Sequence, residues 1–476
     1  LRLDNVMIRR EGAVLLKNAN ISLYRGEITG LLSLSSPGLS QLMEVIQKNT
    51  PISAGRIYFD HRLVNSCVGT KRTHNSVFIV DENSRLCTNL TIAENFCFFQ
   101  KGGCPVYWKA QISSTVEHFF SEFGLSLSTD VPVSSLRPYE RSLVELIFAR
   151  AHGAELLILY NPESYLGDHE IKSLLHVIQV LSSHGATVLY VSNYFKNLVC
   201  VCQRVALMNN GAIVKIFCEN ELSTADLTPY LSPIQVGRLR MPSEQNASPL
   251  LTFDGVYTEA LNGFTCAIPK NRCTVLVDEF GKASSDIMGL MTADLAPISG
   301  SIHMSGTVLK SGRVPPYIRN QIAVIPYNPI KTHVYYDMSY MDNLCLLFDL
   351  RRRAVITRSD IQQSIALEYK KHLGDDMLRK NLYGMTTFSL YRLVYYRVKL
   401  LCPELVLIDR AFAGCDIATH SHIQALIQML LEDGITVVLF EPSAKDTTDL
   451  ADKILFFADG AVSDRPANDE PKQYRT

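Results

Sequence analysis

The stretch that decides the fold is Gly30-Leu31-Leu32-Ser33-Leu34-Ser35-Ser36-Pro37-Gly38-Leu39-Ser40-Gln41-Leu42-Met43. It lies between an apolar segment, 28–32, that predicts a strand and a segment from Ser40 that predicts a helix. A phosphate-binding loop here reads G-x-x-x-x-G-K-[ST], because small residues let backbone N–H groups surround the phosphates and a lysine contacts the outer two. Ser33 replaces the first glycine and Leu39 the lysine, whereas Gly38 and Ser40 remain. The stretch is either a coincidence of apolar spacing or a nucleotide-binding loop that has lost its fixed positive charge.

Length and composition limit the class of protein. With 476 residues, 47% of them apolar and 20% charged, the chain is long enough for two or more globular domains. The net charge of -1 provides no overall field for nucleic acid, so we expect no such partner. The 12 cysteines include no C-x-x-C pair, which, with no recognisable signal peptide, predicts a reducing cytoplasmic setting. No apolar run reaches roughly 18 residues, so we expect no insertion into a membrane.

The order of features in the first half returns in the second half. The opening segment Leu1–Val6 is echoed by Leu251–Val256, and an apolar run then leads into Gly281-Lys282-Ala283-Ser284-Ser285. Short apolar runs typical of buried parallel strands follow in the same order, at 156–159 and 187–191 and again at 322–326, 405–409 and 436–440. We interpret this as a tandem repeat, with a first domain at 1–222, a linker at 223–249, a second domain at 250–463 and a polar tail at 464–476.

Four further motifs indicate a family. They are Leu90-Thr91-Ile92-Ala93-Glu94-Asn95, Val236-Gly237-Arg238, and the turns Pro51-Ile52-Ser53-Ala54-Gly55 and Pro297-Ile298-Ser299-Gly300. Through their order the chain resembles, over nearly its whole length, the tandem ATP-binding subunit of ABC-type sugar importers of the ribose and galactose class. The resemblance implies an α/β fold of two tandem ABC-type P-loop nucleotide-binding domains, each with a helical subdomain. It also implies ATP and Mg²⁺ as cofactors, and an integral-membrane permease or another ATP-binding subunit as partner at the inner face of the cell membrane.

In this family each ATP lies between the P-loop of one domain and the signature segment of the other, so the resemblance implies two composite sites. At the first site Leu39 replaces the lysine, Glu82 stands at the Q-loop position, and Asn193 replaces the histidine that contacts the outer phosphate. The strand that ends in Asp-Glu in the family ends here in Tyr160-Asn161. The opposing signature, Leu-Ser-Gly-Gly in the family, reads Met385-Thr386-Thr387-Phe388. None of the family's acid or base residues remains at this site.

At the second site Ser284 replaces the lysine, while Gly281 and Ser285 are kept. Asp409 stands where the family has a magnesium-binding aspartate, but the next position, that of the catalytic glutamate, is Arg410. The opposing signature reads Leu136-Arg137-Pro138-Tyr139, in which proline and tyrosine cannot give the close backbone approach of glycine.

Charge around the second site is mixed. Glu441 takes the position of the histidine, and we expect it to place a negative charge near the outer phosphate. Arg410 and Lys282 offset that charge locally, although Lys282 also reads as a solvated loop residue. Tyr327 stands at the second Q-loop position, and we expect it and Glu82 either to contact a membrane partner or to be ordinary surface residues.

These losses predict weak nucleotide binding. A lysine–phosphate contact is worth on the order of 1.5–3 kcal/mol, and phosphoryl transfer depends on such positioning and charge. We therefore expect weak binding of ATP, with Mg²⁺, no catalytic residue and no separate metal site. Asp409 could be a Mg²⁺ ligand, but we favour its interpretation as a cap or an ion-pair partner of Arg410. The residues left to contact nucleotide are Gly38, Ser40, Gly281, Ser284, Ser285 and Asp409.

The hypothesis that follows is a pseudo-ATPase, a tandem ABC-type scaffold that regulates or supports carbohydrate import without hydrolysing ATP. The alternative is a functioning ATP-hydrolysing subunit of a sugar importer with divergent motifs, active only with its permease. A third interpretation is a decaying gene product without a role.

Overall fold

The computed structural model of this protein describes residues 1–465, except for 11–12, 36–37, 68–72, 99–112, 115, 119, 122–126, 219–220, 222–247, 279–280, 310–320, 347–357, 446 and 459–460. The chain divides into two compact units, Leu1–Ile234 with Gly414–Ala418, and Gln235–Ala413 with Thr419–Thr476. Most of the expected linker, including the Val236-Gly237-Arg238 motif, lies outside the described residues.

The first unit contains two β-sheets. A four-stranded antiparallel sheet and a six-stranded, mostly parallel sheet are formed by β1 (Arg2–Arg10), β2 (Ala13–Ser22), β3 (Ile28–Ser33), β4 (Ala54–Phe59), β5 (Arg62–Ser66), β6 (Val77–Val80), β7 (Leu156–Tyr160), β8 (Thr187–Val191), β9 (Arg204–Asn209) and β10 (Ala212–Cys218). The strand orders are β2-β1-β4-β5 and β10-β9-β3-β8-β7-β6. The strand predicted before the loop and the two predicted buried parallel strands are therefore confirmed.

Helices cover both faces of the larger sheet, which explains why its strands are apolar throughout. The described helices are α1 (Leu39–Gln47), α2 (Ile92–Phe98), α3 (Pro138–Ala151), α4 (Asp168–Ser183) and α5 (Phe195–Val201), with 3-10 turns at Val133–Ser135 and Pro162–Ser164. Side chains alternate between the faces, so Leu31 packs in the cluster with α1 and Leu32 in the cluster with α4. Phe96 of α2 and Phe148 of α3 belong to a separate small core, that of the predicted helical subdomain.

The second unit repeats this arrangement. Its strands are β11 (Pro249–Tyr257), β12 (Phe264–Pro269), β13 (Cys273–Val277), β14 (Ser299–Met304), β15 (Thr307–Leu309), β16 (Ile322–Ile325), β17 (Leu405–Asp409), β18 (Thr436–Glu441), β19 (Lys453–Ala458) and β20 (Ala461–Arg465). Its described helices are α6 (Lys282–Thr292), α7 (Pro329–Thr332), α8 (Tyr340–Cys345), α9 (Arg358–Leu373), α10 (Thr387–Leu400) and α11 (Ile417–Glu432), with a 3-10 helix at Gly374–Leu378. The strand orders are β12-β11-β14-β15 and β16-β17-β18-β13-β19-β20.

The two halves share one topology, which confirms the predicted repeat and its α/β fold class. In both units the strand that precedes the loop pairs in parallel with two neighbours. Strand β3 lies between β8 and β9, and β13 lies between β18 and β19. The repeated Pro-x-Ser turns are also equivalent. Gly55 and Gly300 have φ of 94° and 93°, and a Cβ on either would come within 2.4 and 2.3 Å of a backbone oxygen of β1 or β11. Both turns therefore require glycine.

Two boundaries differ from the sequence interpretation. Strand β11 begins at Pro249, the last residue assigned to the linker. Strand β20 continues to Arg465, so Asp464 and Arg465 of the expected tail pair with β19. Antiparallel pairing with a buried neighbour holds these two residues although their side chains are polar.

Candidate functional site

The first loop is packed against the backbone behind it. Gly38 is the N-cap of α1, with φ of 91°, and is buried. A Cβ on Gly38 would lie 2.4 Å from the carbonyl oxygen of Leu15 and 2.7 Å from Cα of Gly211. Ser40 is exposed on α1, and its hydroxyl donates to the side chain of Gln41 at 3.0 Å. Of the two predicted contact residues here, Gly38 faces β2 and Ser40 faces solvent.

The lysine position of the first loop is part of the core. Leu39 is 7% exposed and belongs to the apolar cluster formed by α1, the small sheet and one face of the large sheet. Nearby polar groups bond to one another: the Ser33 hydroxyl donates to the carbonyl of Ser35 at 2.8 Å, and the Ser35 hydroxyl donates to Asn209 Oδ1 at 3.1 Å. Burial of an apolar side chain at this position is favourable in free energy, so it stabilises the packing of the start of α1 against the core.

The strand-end positions of the first half carry no exposed acid. Asn161 follows β7 with φ of 43°, and its N–H donates to the carbonyl of Val191 at 2.9 Å. Glu163 lies further along this segment and is half-buried. One oxygen of its carboxyl accepts hydrogen bonds from the hydroxyls of Tyr190 and Ser192 and from the amide of Asn197. Burial of the carboxyl raises the pKa of Glu163, although these hydrogen bonds oppose the shift. Sequence reasoning missed this carboxyl, whose signal was an acid close after the end of an apolar strand.

In the second loop, a carboxylate binds the residue at the lysine position. Asp278 directly follows β13, and its Oδ2 atom accepts hydrogen bonds from the N–H of Ser284 at 2.8 Å and from its hydroxyl at 3.1 Å. Both residues are buried, at 6% and 5% exposure. The sequence analysis selected Ser284 as a nucleotide contact but missed Asp278. The signal was available, because Asp278 stands three residues before Gly281, at the first-glycine position of the aligned loop.

Gly281, Lys282 and Ser285 of the second loop face solvent. Gly281 is the N-cap of α6, with φ of 69°, and a Cβ there would meet no atom within 4 Å. Lys282 and Ser285 are exposed in the first turn of α6. The predicted contact residues Gly281 and Ser285 are therefore accessible, whereas Ser284 between them is engaged by a carboxylate.

At the end of β17, Arg410 contacts both Asp409 and Tyr327. Arg410 has φ of 44°, its Nε lies 3.4 Å from Asp409 Oδ1, and its guanidinium carbon lies 4.1 Å from the ring centroid of Tyr327. Asp409 thus lies beside a cation, as in the ion-pair interpretation. The cavity lined by Asp409, Arg410 and neighbouring residues encloses only about 10 Å³, the space of one water.

Glu441 ends β18 and differs from its sequence interpretation. Its carboxyl is fully buried and accepts hydrogen bonds from the backbone N–H groups of Ala411 and Phe412. Burial raises its pKa to about 8, with the nearby charge of Asp409 acting in the same direction. Burial thus favours the neutral form of this carboxyl, in contrast to the negative charge expected from the sequence.

The signature positions begin helices that the chain caps itself. Pro138 is the first residue of α3, where its missing N–H costs nothing, and the Arg137 side chain pairs with Glu140 at 2.7 Å. In the second half the Thr386 hydroxyl accepts from the N–H of Ser389 at 3.2 Å and caps α10.

The two Q-loop residues are both half-buried. The backbone carbonyl of Glu82 accepts a hydrogen bond from the Arg141 guanidinium at 2.6 Å, which anchors the segment after β6. Tyr327 lies under Arg410, as described above. Among the described helices, none combines the length and apolar character of a membrane-crossing segment.

In the described parts of both loops, the residues at the lysine positions do not supply what a phosphate chain needs. A phosphate needs free N–H donors and a nearby cation. In the first loop the cation position is a buried leucine, and in the second the Ser284 donors already bind Asp278. No cluster of three or more potential metal ligands was found among the described residues.

Comparison with known proteins shows what this chain resembles. Residues 16–164 match the ABC transporter family. The family match lies within the first of the two units. The chain is 21% identical over 486 residues to the ribose import ATP-binding protein RbsA of Bacillus cereus, which covers 99% of this chain and 97% of that protein. It is also 22% identical over 472 residues to the fructose import ATP-binding protein FruK of Bifidobacterium longum, covering 95% and 91% of the two chains.

Solved structures support the tandem ABC fold. A chain of ribosome-bound archaeal Pelota and ABCE1 superposes with a TM-score of 0.65 at 16% identity, covering 97% of this chain and 78% of that one. An RNase-L inhibitor superposes with a TM-score of 0.60 at 14% identity, covering 97% and 90%. At this level of identity the likeness concerns the fold alone.

Proposed function

We propose that this tandem ABC protein is a pseudo-ATPase of a carbohydrate import system, in which it supports or regulates transport without hydrolysing ATP. The domains responsible are residues 1–222 and 250–463, joined by the linker 223–249. The named relatives are ATP-binding proteins of ribose and fructose import, which supports the choice of a carbohydrate system.

The observation that carries the proposal is that the chain's own groups occupy the phosphate-contact positions of both loops. Leu39 packs into the core, and the Asp278 carboxylate bonds to Ser284. Restoring a phosphate site would require unpacking the first loop and displacing a charge from the second. Because phosphoryl transfer relies on preplaced charge, neither loop is arranged for hydrolysis.

Weak binding of Mg-ATP is part of the proposal. Gly281, Ser284, Ser285 and Asp409 are the residues that would contact nucleotide in the second half, with Lys282 exposed beside them. Gly38 and Ser40 are the corresponding residues of the first half. We expect the second half to retain the greater residual affinity, because its loop has an exposed cation and open space at Gly281.

The proposed partner is an integral-membrane permease or another ATP-binding subunit, which would hold the protein at the inner face of the cell membrane. Glu82 and Tyr327 are the proposed contact positions. Both are half-buried, and each lies in the segment that follows an outer strand of its large sheet, β6 or β16.

Calorimetric titration of the purified chain with Mg-ATP, combined with a phosphate-release assay, tests the pseudo-ATPase assignment. We expect a Kd weaker than about 100 μM, which corresponds to a binding free energy of roughly -5.5 kcal/mol, and no turnover. The Asp409→Asn variant is the control for contaminating ATPase, since it alters the residue that best fits a Mg²⁺ ligand. Turnover in the unmodified chain that disappears in Asp409→Asn would refute the proposal.

Reconstitution separates the proposal from a permease-stimulated ATPase. The chain is added to vesicles that contain the import system's permease, with and without an ATPase-competent subunit. The proposal predicts that the chain binds the permease but supports uptake only when the competent subunit is present. ATP-driven sugar uptake with this chain as the sole ATP-binding subunit would establish the functioning-enzyme alternative instead.

A further inference from the structure

The charged residue before the central strand of each large sheet differs in sign between the two halves. Glu27 directly precedes β3, and Arg272 directly precedes β13. The two positions are equivalent, because Thr29 of β3 pairs with Arg204 of β9 just as Thr274 of β13 pairs with Lys453 of β19. The same junction of the fold therefore begins with an acid in the first unit and with a base in the second.

In the first unit, Glu27 forms an ion pair with the first residue of β9. Glu27 Oε1 lies 2.6 Å from Arg204 Nε, and the two side chains are only 15% and 19% exposed. Arg204 Nη2 also donates to the carbonyl of Ser22 at 2.7 Å, and the neighbouring Gln203 side chain accepts a hydrogen bond from the N–H of Ile28 at 2.8 Å. A charged contact and a neutral one thus join the start of β3 to the start of β9.

In the second unit, the polarity of the ion pair is reversed. Arg272 Nη1 lies 3.0 Å from Asp452 Oδ1, and the two side chains are 10% and 13% exposed. Asp452 Oδ2 accepts a hydrogen bond from the N–H of Cys273 at 2.8 Å, as Gln203 does at the equivalent position of the first unit. Lys453 donates instead to the carbonyl of Ala267 at 3.3 Å. The base now precedes the central strand and the acid precedes its neighbour.

The backbone contacts alone do not distinguish the two junctions. The closing strands of the large sheets are β9 and β10 in the first unit and β19 and β20 in the second, and each antiparallel pair joins its sheet in the same register. Strands β9 and β19 are both mainly apolar. Repeated domains in one chain can exchange such equivalent elements during folding.

The charges at the junctions oppose this exchange. If β9 joined β13, Arg272 would lie beside Arg204, and if β19 joined β3, Glu27 would lie beside Asp452. Like charges in partly buried positions repel more strongly than they do in water. Lys453 would offset part of the second clash but nothing would offset the first, so the discrimination is greater at β13.

We infer that these charges determine which closing strands join which large sheet as the chain folds. The residues responsible are the first charge set, Glu27, Gln203 and Arg204, and the second charge set, Arg272, Asp452 and Lys453. Each set is complementary within its own unit and mismatched with the other, which is how repulsion adds specificity to pairing. The inference goes beyond the proposed function, because it holds whether or not the chain binds nucleotide or a permease.

The test exchanges the charge sets between the halves of the full chain. One variant gives the second unit the residues of the first charge set, and another gives the first unit the residues of the second charge set. The substitutions are Arg272→Glu, Asp452→Gln and Lys453→Arg in the former, and Glu27→Arg, Gln203→Asp and Arg204→Lys in the latter. A third variant combines all six, and a control that preserves the sign of each charge carries Arg272→Lys and Asp452→Glu.

Each protein is unfolded in urea and refolded by dilution at several protein concentrations. Size-exclusion chromatography and thermal denaturation measure the share recovered as monomer with the melting temperature of the same variant before unfolding. We expect both three-substitution variants to give a yield roughly twofold or more below that of the control, because either pair of closing strands then fits either sheet. The loss should grow with concentration, since exchange between two chains produces dimers.

The six-substitution variant separates pairing specificity from simple stabilisation. Its two charge sets differ again, so we expect its yield to return to that of the control. If the ion pairs only stabilise their units, the six-substitution variant should instead refold worst. That order, or three-substitution variants that refold as well as the control, would overturn the inference.

The two three-substitution variants alter different units, so the comparison stands on either one if the other does not fold. None of these measurements involves Mg-ATP or a membrane partner, and the proposed function is therefore judged separately.

Discussion

The two loops of this protein follow equivalent strands in equivalent sheets, but different interactions hold the residue at the lysine position of each loop. In the first loop an apolar residue, Leu39, joins the core, and Gly38 lies against the backbone of Leu15. In the second loop a carboxylate, Asp278, bonds to Ser284 while Gly281 stays open to solvent. The lysine position is therefore filled by packing in the first loop and engaged by a charge in the second.

This difference shows that equivalent positions of a repeated fold can be held by different interactions. A packed loop can be reopened only by disturbing a core that stabilises the domain, so reversion is costly. A loop held by one carboxylate can be reopened by one substitution. The two halves should consequently respond differently to equivalent changes, and the following predictions test that contrast.

The largest effect is expected for Leu39→Lys. The substitution places an ammonium group in a 7%-exposed position of the apolar cluster and should lower the free energy of unfolding by roughly 4–5 kcal/mol. Urea unfolding followed by circular dichroism measures this loss. The neighbouring Ser40→Lys variant is the control, and at an exposed position it should change stability by less than about 0.5 kcal/mol. A stable Leu39→Lys protein that hydrolyses ATP would disprove closure by packing.

A pH-dependent effect is expected at Glu441 in the second half, where the first half has the uncharged Asn193. Its pKa in the folded protein, about 8, lies above the unfolded value, so its stabilising contribution is complete below about pH 4.5 and is lost as the pH rises to about 8. Between pH 5 and 8 this amounts to roughly 3 kcal/mol. Glu441→Gln should remove that slope in denaturation curves measured across the range. The surface variant Glu432→Gln should follow the unmodified profile, and a slope that persists in Glu441→Gln would assign the titration to another group.

Alanine at the two loop glycines compares the loops directly. Gly38→Ala combines a left-handed backbone with a Cβ that collides with Leu15, so we expect a loss of roughly 2–3 kcal/mol. Gly281→Ala meets only the backbone cost, about 1 kcal/mol. The difference in urea midpoints between the two variants measures how tightly each loop is packed. Equal losses would mean that the first loop is as open as the second.

The smallest effect is expected at the aromatic contact of Arg410. Replacing Tyr327 by leucine removes the ring under the guanidinium and should cost about 0.5–1 kcal/mol. Tyr327→Phe keeps the ring and serves as the matched control, so it should retain nearly all the stability. If both variants lose the same amount in thermal denaturation, the hydroxyl and not the ring is the group that matters.

Periodic apolar segments made the fold predictable from the sequence. Runs such as 273–277 and 405–408 are mostly apolar because both faces of each parallel sheet are covered, and their repeated order indicated the tandem architecture. The glycine turns at Gly55 and Gly300 were equally visible, since their backbone conformation demands glycine. The domain bounds expected from the sequence differ from the strand ends at Pro249 and Arg465, because strand pairing can hold polar or proline residues at an edge.

The candidate site was predictable only in part. The sequence alone determined that the lysines, the signature glycines and the catalytic glutamate are replaced, because a residue type can be read at each aligned position. Only the tertiary structure decided what the replacements do: Leu39 is buried, Asp278 binds Ser284, and burial raises the pKa of Glu441. The burial of Leu39 and Glu441 arises from packing against residues far apart in the chain, which local sequence does not encode. The Asp278–Ser284 contact is local, but it depends on where α6 begins.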